Sequence, residues 1–150
     1  QMPERFDLVY VDKDNEKKRP VMIHRTILGS IERFLGILIE HFAGKFPVWI
    51  APVQAIVLPI SDKFNDYAYE IKKEMEQKGL RVSVDDRAEK IGYKIREARL
   101  QRIPYMLVVG EKEVENRLVS VNKRDKGDIG QYSIEDFIGM ILEEVENKTR

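Results

Sequence analysis

In the stretch Val21–Gly44, VMIHRTILGSIERFLGILIEHFAG, the residues His24, Arg25, Ser30, Glu32 and Arg33 interrupt what would otherwise be a plain apolar strand followed by an amphipathic helix. An arginine in the first turn of a helix, just past an apolar strand, is held by packing on both sides and can offer a rigid five-donor fork to a phosphate. The helix start adds free backbone amides and the positive end of the dipole, which favour an anion in the same place. Arg33 stands at that point, with Gly29 and Ser30 just ahead of it. The plain alternative is an ordinary exposed pair, Glu32 and Arg33, in a first helical turn. His24, bracketed by Ile23 and Arg25, reads either as a hydrogen-bonded strand histidine or as a metal ligand. The only other histidine, His41, lies 17 residues on and is expected at a surface or interface.

A second concentration of chemistry lies further along. Arg87, Lys90, Lys94, Arg96, Arg99 and Arg102 run over a helix and its flanking loops, followed by Lys112 and by Asn122, Lys123 and Arg124 in the string NKRDK. From Arg87 to Lys126 there are 11 basic and 6 acidic residues, whereas Gly127–Arg150 holds 2 and 6, so a basic block precedes an acidic tail helix. Single-stranded RNA loops are bound by phosphate contacts together with hydrogen bonds to splayed base edges, and such a block could serve there. It could equally be a solvated helix face with ordinary ion pairs, such as Lys94 with Glu97.

The whole chain gives less away. Its 26 basic and 26 acidic residues balance, so net charge points to no nucleic acid, membrane or acidic partner. The absence of cysteine excludes disulfides and thiolate metal ligands within the chain and fits a reducing compartment. No apolar run reaches the roughly 18 to 20 residues needed to span a bilayer, and the first residues lack a signal-peptide pattern. The string starts at Gln1 rather than at methionine, which leaves open that it is a piece of a longer chain.

These side chains must be positioned by regular elements, and the apolar spacing supplies them. With 150 residues, 43% hydrophobic, the chain suits one compact domain or one domain with a piece of another. The charged string VDKDNEKKRP between Phe6–Val11 and a strand from Val21 reads as a hairpin turn. Ile31, Phe34, Leu35, Leu38 and Phe42 predict a helix over about Ser30–Phe42, stopped by Gly44. Pro47 and Pro52 then mark a crossing segment, giving expected boundaries of 1–45, a linker at 46–53, and 54–150. Beyond it strands are expected at Gln54–Ile60, Arg81–Asp85, Pro104–Gly110 and Leu118–Asn122. Helices are expected at Asp62–Lys78, about Glu89–Gln101, and after Ser133, which pairs with Asp136 as an N-cap. Strands separated by helices of this length are parallel with right-handed crossovers, while the short gap before the fourth strand makes that pair antiparallel. The expected fold is therefore α/β, with a mixed, mostly parallel sheet flanked by helices.

Gly29, Ser30, Glu32 and Arg33 in IHRTILGSIERF resemble motif 3 of the class II aminoacyl-tRNA synthetases. The wider string PERFDLVYVDKDNEKKRPVMIHRTILGSIERFLGILIEHFAGKFPVWIAPVQ, with the later EKIGYKIREARLQRIPYMLVVGEKEVE, resembles the threonyl-tRNA synthetases more than their prolyl, histidyl or glycyl relatives. The likeness covers nearly all of the chain. It implies that residues 1–45 are a strand–helix remnant of an antiparallel catalytic domain and that 54–150 form an anticodon-binding domain. It further implies that Arg33 clamps the terminal phosphate of ATP with Gly29 and Ser30 against the adenosine, and that His24 is one of three zinc ligands. A chain without cysteine cannot complete that zinc set. Arg87, Lys90, Arg102, Glu113, Asn122, Lys123 and Arg124 would meet the anticodon loop of tRNA(Thr), Glu113 reading its middle guanine. Ala88 stands where well-known bacterial members have asparagine, and Asn122 where some have arginine. For the parent enzyme the resemblance implies a cytoplasmic homodimeric threonine-tRNA ligase using threonine, ATP with magnesium, and zinc; the 150-residue chain alone is expected to bind no cofactor and not to catalyse. A rival reading is a non-catalytic accessory or dimerisation module on the same fold.

Overall fold

The structure is a computed structural model that describes residues 1–149. The chain divides into two compact units, Gln1–Gly36 and Ile37–Arg150.

In the first unit, helix α1 (Met2–Arg5) precedes a two-residue hairpin, β1 (Tyr10–Val11) against β2 (Lys17–Lys18), with Tyr10 opposite Lys18. A hairpin forms here as expected, but its second strand lies within the charged string and does not start at Val21. Asn15, at φ +62°, donates its backbone N–H to the Asp12 carbonyl, and the Lys18 ammonium lies 2.6 Å from Asp12 Oδ2. The strand expected from Val21 does not form: among the described residues Val21–Thr26 has no ladder partner, and every side chain from Val21 to Ser30 is exposed. Apolar, β-branched residues specify a strand only where a neighbouring strand supplies donors and acceptors and a buried face. The helix that follows, α2 (Ile31–Phe42), does form. It closes in the left-handed residues Ala43 and Gly44, where the Gly44 N–H reaches the Ile39 carbonyl at 3.0 Å.

The second unit is built on β3 (Ala55–Pro59), α3 (Asn65–Gln77, entered through a 3-10 turn), β4 (Val82–Val84), α4 (Ile91–Leu100), β5 (Tyr105–Val109), α5 (Glu111–Asn116), β6 (Leu118–Lys123), β7 (Gly127–Ser133) and α6 (Ile134–Glu146). The sheet order is β4-β3-β5-β6-β7, parallel from β4 to β5 and antiparallel from β5 to β7. All five residues of β3 are buried, as expected of a central parallel strand covered on both faces. One face packs Val57, Tyr105, Leu107, Val119 and Val121 against α3 and α6; the other packs Ile56, Leu58 and Met106 against Ala98, Ile91 and Ile95 of α4.

Two elements of this unit were not foreseen. The gap between the third and fourth strands holds the six-residue α5, and the Gly-containing string GDIGQYS forms β7, with an irregular register where it passes Val121 and Asn122. The segment read as a linker is also no free spacer. Val48 and Ala51 are buried, Gln54 Nε2 donates to the Val48 carbonyl at 2.9 Å, and the Arg81 side chain donates to the carbonyls of Ala51 and Trp49. Prolines set the turn here, while apolar side chains between them pack against the sheet. Among the described residues, no helix is long and apolar enough to cross a membrane.

Candidate nucleic-acid interface

Along β6, Val119 and Val121 point into the core shared with α3 and α6, so Ser120 and Asn122 point to the opposite face. On that opposite face α4 covers β3 and β5 only; the cluster it buries contains no residue of β6 or β7 among those described. Ser120, Asn122 and, directly across the ladder from Ser120, Gln131 therefore form an uncovered polar patch of sheet. At its rim stands Glu113, placed by α5 just past the carboxyl end of β5.

Glu113 is only 9% exposed, and its carboxylate accepts three hydrogen bonds. Its Oε2 accepts the Gly110 N–H at 3.0 Å, and its Oε1 accepts the Ser120 hydroxyl at 2.8 Å and the Gln131 amide at 2.9 Å. Burial pushes this carboxyl up, but the hydrogen bonds from Ser120, the local backbone amides and Gln131 outweigh it and hold the group below the ordinary glutamate range. The patch thus presents an ionised acceptor, which suits a partner offering N–H donors.

The other expected contacts are scattered. Arg87, after β4, forks onto Asp85 at 2.8 and 2.7 Å and reaches Glu97 at 2.6 Å; these bonds pull Asp85 and Glu97 below their usual ranges. Glu97 is therefore paired with Arg87 and not with Lys94, which is no surface residue at all. Lys94 is 2% exposed and donates to the carbonyls of Pro59 and Asp85 at 3.0 and 2.9 Å. Lys90 is exposed at the start of α4, beside an open cleft of about 300 Å³ that it shares with Ser61, Asp62 and Arg87. Lys123 lies on the sheet face opposite Glu113, its ammonium on Tyr105 and Glu144 at 2.8 and 2.9 Å. Arg124 spends its guanidinium on the carbonyls of Arg102, Lys45 and Phe46. Arg102, at φ +61°, is exposed where α4 gives way to β5. Of the seven residues only Glu113 and Asn122 share the uncovered face, because a strand alternates its side chains and a helix distributes its own around the axis.

Two further members of the basic block, Arg96 and Arg99, stay exposed. Helical spacing puts the exposed Arg99 on the flank of α4 away from Glu97, while Arg96, also exposed, points outward from the helix; Tyr93 and Glu97 face Arg87 beside β4. Ser120 and Gln131 were not singled out from the sequence. The alternation of LVSVN carried the signal for Ser120, whereas Gln131 belongs to a strand with no alternation to read.

In the first unit Gly29 is left-handed at φ +66°, and the Ser30 hydroxyl donates to Glu32 at 2.6 Å, holding that carboxyl below its usual range. Ser30 Oγ also faces the Arg33 N–H at 3.4 Å, so the serine caps α2 and the exposed Arg33 side chain rises from its first turn. His24 is exposed, with Nε2 3.2 Å from Met22 Sδ. No group of three metal-ligating side chains occurs among the described residues, around His24 or elsewhere.

Residues 54–144 match the family of the anticodon binding domain, and residues 1–42 match the tRNA synthetase class II core domain of the G, H, P, S and T group. The chain belongs to the anticodon-binding domain family, preceded by a stretch of the class II core. Its similar relatives include the threonine–tRNA ligases of Clostridioides difficile, 62% identical, and of Finegoldia magna, 60% identical, each over 99% of this chain. The chain spans 23% of the length of these relatives. Among solved structures, the RNA binding domain of threonyl-tRNA synthetase from Cryptosporidium parvum matches with a TM-score of 0.77 and 40% identity, covering 96% of this chain and 37% of that one.

Proposed function

We propose that the chain is part of a threonine–tRNA ligase and that its sheet domain holds the anticodon loop of tRNA(Thr). The observation that carries this reading is the ionised Glu113 on an uncovered polar sheet face, in a domain of the anticodon-binding family whose neighbouring helix α4 exposes Arg96 and Arg99. A carboxylate accepts from the two adjacent donors of a guanine Watson–Crick edge, and flanking arginines hold the phosphates. Asn122 lies on the same face, Arg102 and Lys90 serve at its margins, and Arg87, Lys123 and Arg124 contribute by keeping loops in place. The domain limits follow as 1–45, 46–53 and 54–150.

In the whole enzyme, ATP-dependent activation of threonine and its transfer to tRNA would draw on residues 1–45. Arg33 would hold the terminal phosphate of magnesium-bound ATP, Gly29 and Ser30 would lie against the adenosine, and His24 would supply one zinc ligand. The homodimer and the cytoplasmic location belong to that same reading. Activation depends on a complete electrostatic clamp around the reacting phosphate, so the 150-residue chain alone is expected to show no threonine-dependent pyrophosphate exchange; turnover by the purified chain would refute this.

The test of RNA recognition is binding of a threonine-anticodon stem-loop and of one with the middle guanine changed to adenine, each titrated at two stated salt concentrations. Guanine preference of about tenfold or more, lost in Glu113→Ala, is expected, with salt dependence from the arginines. Salt-steep binding that ignores the base would overturn it. That second outcome would favour an accessory or dimerisation module, a reading supported by the internal pairing of Arg87, Lys123 and Arg124, which leaves fewer free cations than the sequence suggests.

A further inference from the structure

The hydrogen bonds at Glu113 set a problem for base reading. A carboxylate has about four acceptor positions, two on each oxygen. Three are filled: one on Oε2 by the Gly110 N–H, and both on Oε1 by Ser120 and Gln131. One acceptor position remains, on Oε2. A guanine edge presents two adjacent donors and needs one position on each oxygen, so one of the existing donors must leave Oε1.

The three donors are not equally able to leave. The Gly110 amide is fixed by the backbone between β5 and α5. The Ser120 hydroxyl is partly buried on an interior strand of the sheet, where neighbouring strands limit its freedom to move away. Gln131 is exposed, on the outer strand, and its amide also leans on the Ser120 hydroxyl at 3.3 Å. Its side chain turns away into water without disturbing the ladder. Its NH2 group, moreover, is the same kind of donor as the guanine amino group.

We propose that Gln131 is a displaceable occupant of the base site: its amide fills the Oε1 position in the free protein, and a base with two adjacent donors takes that position while Ser120 holds the carboxylate in place. A base with a single donor uses the free Oε2 position and leaves Gln131 where it is. Gln131 and Ser120 are thus positioning and specificity-determining residues acting through Glu113. The inference rests on the anticodon reading above.

The experiment uses the 150-residue chain and three stem-loops that differ only at the middle anticodon base: guanine, inosine, which lacks the amino donor but keeps the ring N–H, and adenine. Gln131→Ala removes the competing donor, so guanine binding should tighten by about fivefold, the equivalent of one net hydrogen bond, while inosine binding stays within about twofold. Ser120→Ala vacates the other Oε1 position, so adding Gln131→Ala to it should change guanine binding by less than about twofold, whereas Ser120→Thr, which keeps the hydroxyl, should preserve the full Gln131→Ala effect. Thermal melts of each variant confirm that the domain is intact. If the wild-type chain prefers guanine over adenine but Gln131→Ala weakens guanine and inosine alike or leaves their ratio unchanged, the displacement proposal is wrong and the anticodon reading stands. If the wild-type chain does not distinguish guanine from adenine, the anticodon reading itself fails, and this inference with it.

Discussion

Replacing Lys94 with methionine tests how the carboxyl ends of β3 and β4 are held together. The wild-type ammonium, 2% exposed, bridges the carbonyls of Pro59 and Asp85 at 3.0 and 2.9 Å, tying α4 to two loops. Methionine keeps the length and apolar stem of the side chain and removes only the donor. Two buried carbonyls then lose a charged partner, at about 1–3 kcal/mol each when left unpaired. The buried charge disappears with the ammonium, and its desolvation cost with it, which offsets part of the loss. The expected net destabilisation is about 2–4 kcal/mol. Trp49, the single tryptophan, lies in the same unit, so its fluorescence during urea unfolding reports on this domain. At the usual urea slope of about 1–3 kcal/mol per molar, the midpoint should fall by roughly 1–3 M. Lys73→Met, an exposed lysine on α3, should leave it unchanged. A midpoint for Lys94→Met within about 0.3 M of wild type, or above it, would refute the reasoning by showing that the desolvation of the ammonium cancels its hydrogen bonds.

Three further outcomes are expected. Asp85 is held below the ordinary carboxylate range chiefly by the hydrogen bonds of Arg87, so the folded state binds its proton less readily than the unfolded chain. Its stabilising effect is present at neutral pH and disappears as pH falls through the depressed folded-state value; acid unfolding of Arg87→Ala followed by Trp49 should therefore show a shallower acid limb, and an unchanged limb would remove Asp85 from the account. Gly79→Ala places a side chain at φ +81° with no atom nearby to clash, so a loss of about 1 kcal/mol from backbone strain alone is expected in thermal or urea melts. Ser133→Ala removes the cap that accepts the Asp136 N–H at 3.1 Å and should cost about 1 kcal/mol, with Ser133→Asp close to wild type.

Much of the sheet domain was legible because its signals are local. AIVLP reads as a buried strand, the periodic faces of α3 and α6 read as helices, and Ser133 with Asp136 reads as a cap. The antiparallel turn of direction after β5 followed from chain length alone. What escaped depends on partners distant in sequence. The apolar run from Val21 has strand composition but no neighbour here to pair with, and β7 pairs well despite two glycines because β6 supplies the ladder. Lys94 looked like one more cation on a basic helix; only its position between two strand ends makes it a buried tie. Lys123 and Asn122 are adjacent in sequence, yet the pleat sends them to opposite faces, so a basic string in NKRDK does not make a basic patch.

The Arg124 guanidinium ties together carbonyls from Lys45, Phe46 and Arg102, at sequence separations of 79, 78 and 22 residues. Such a tie cannot form until β6 has joined the sheet and the chain entering the domain has been brought back across it, so the closure entropy of the long loop must be met first by other contacts. Arg124 is thus a late fastening. Its removal should leave the folding rate nearly unchanged and speed unfolding, giving a folding φ-value near zero. Its guanidinium governs how long the assembled domain lasts, and stopped-flow refolding of Arg124→Ala that slowed in proportion to the lost stability would place it in the folding nucleus instead.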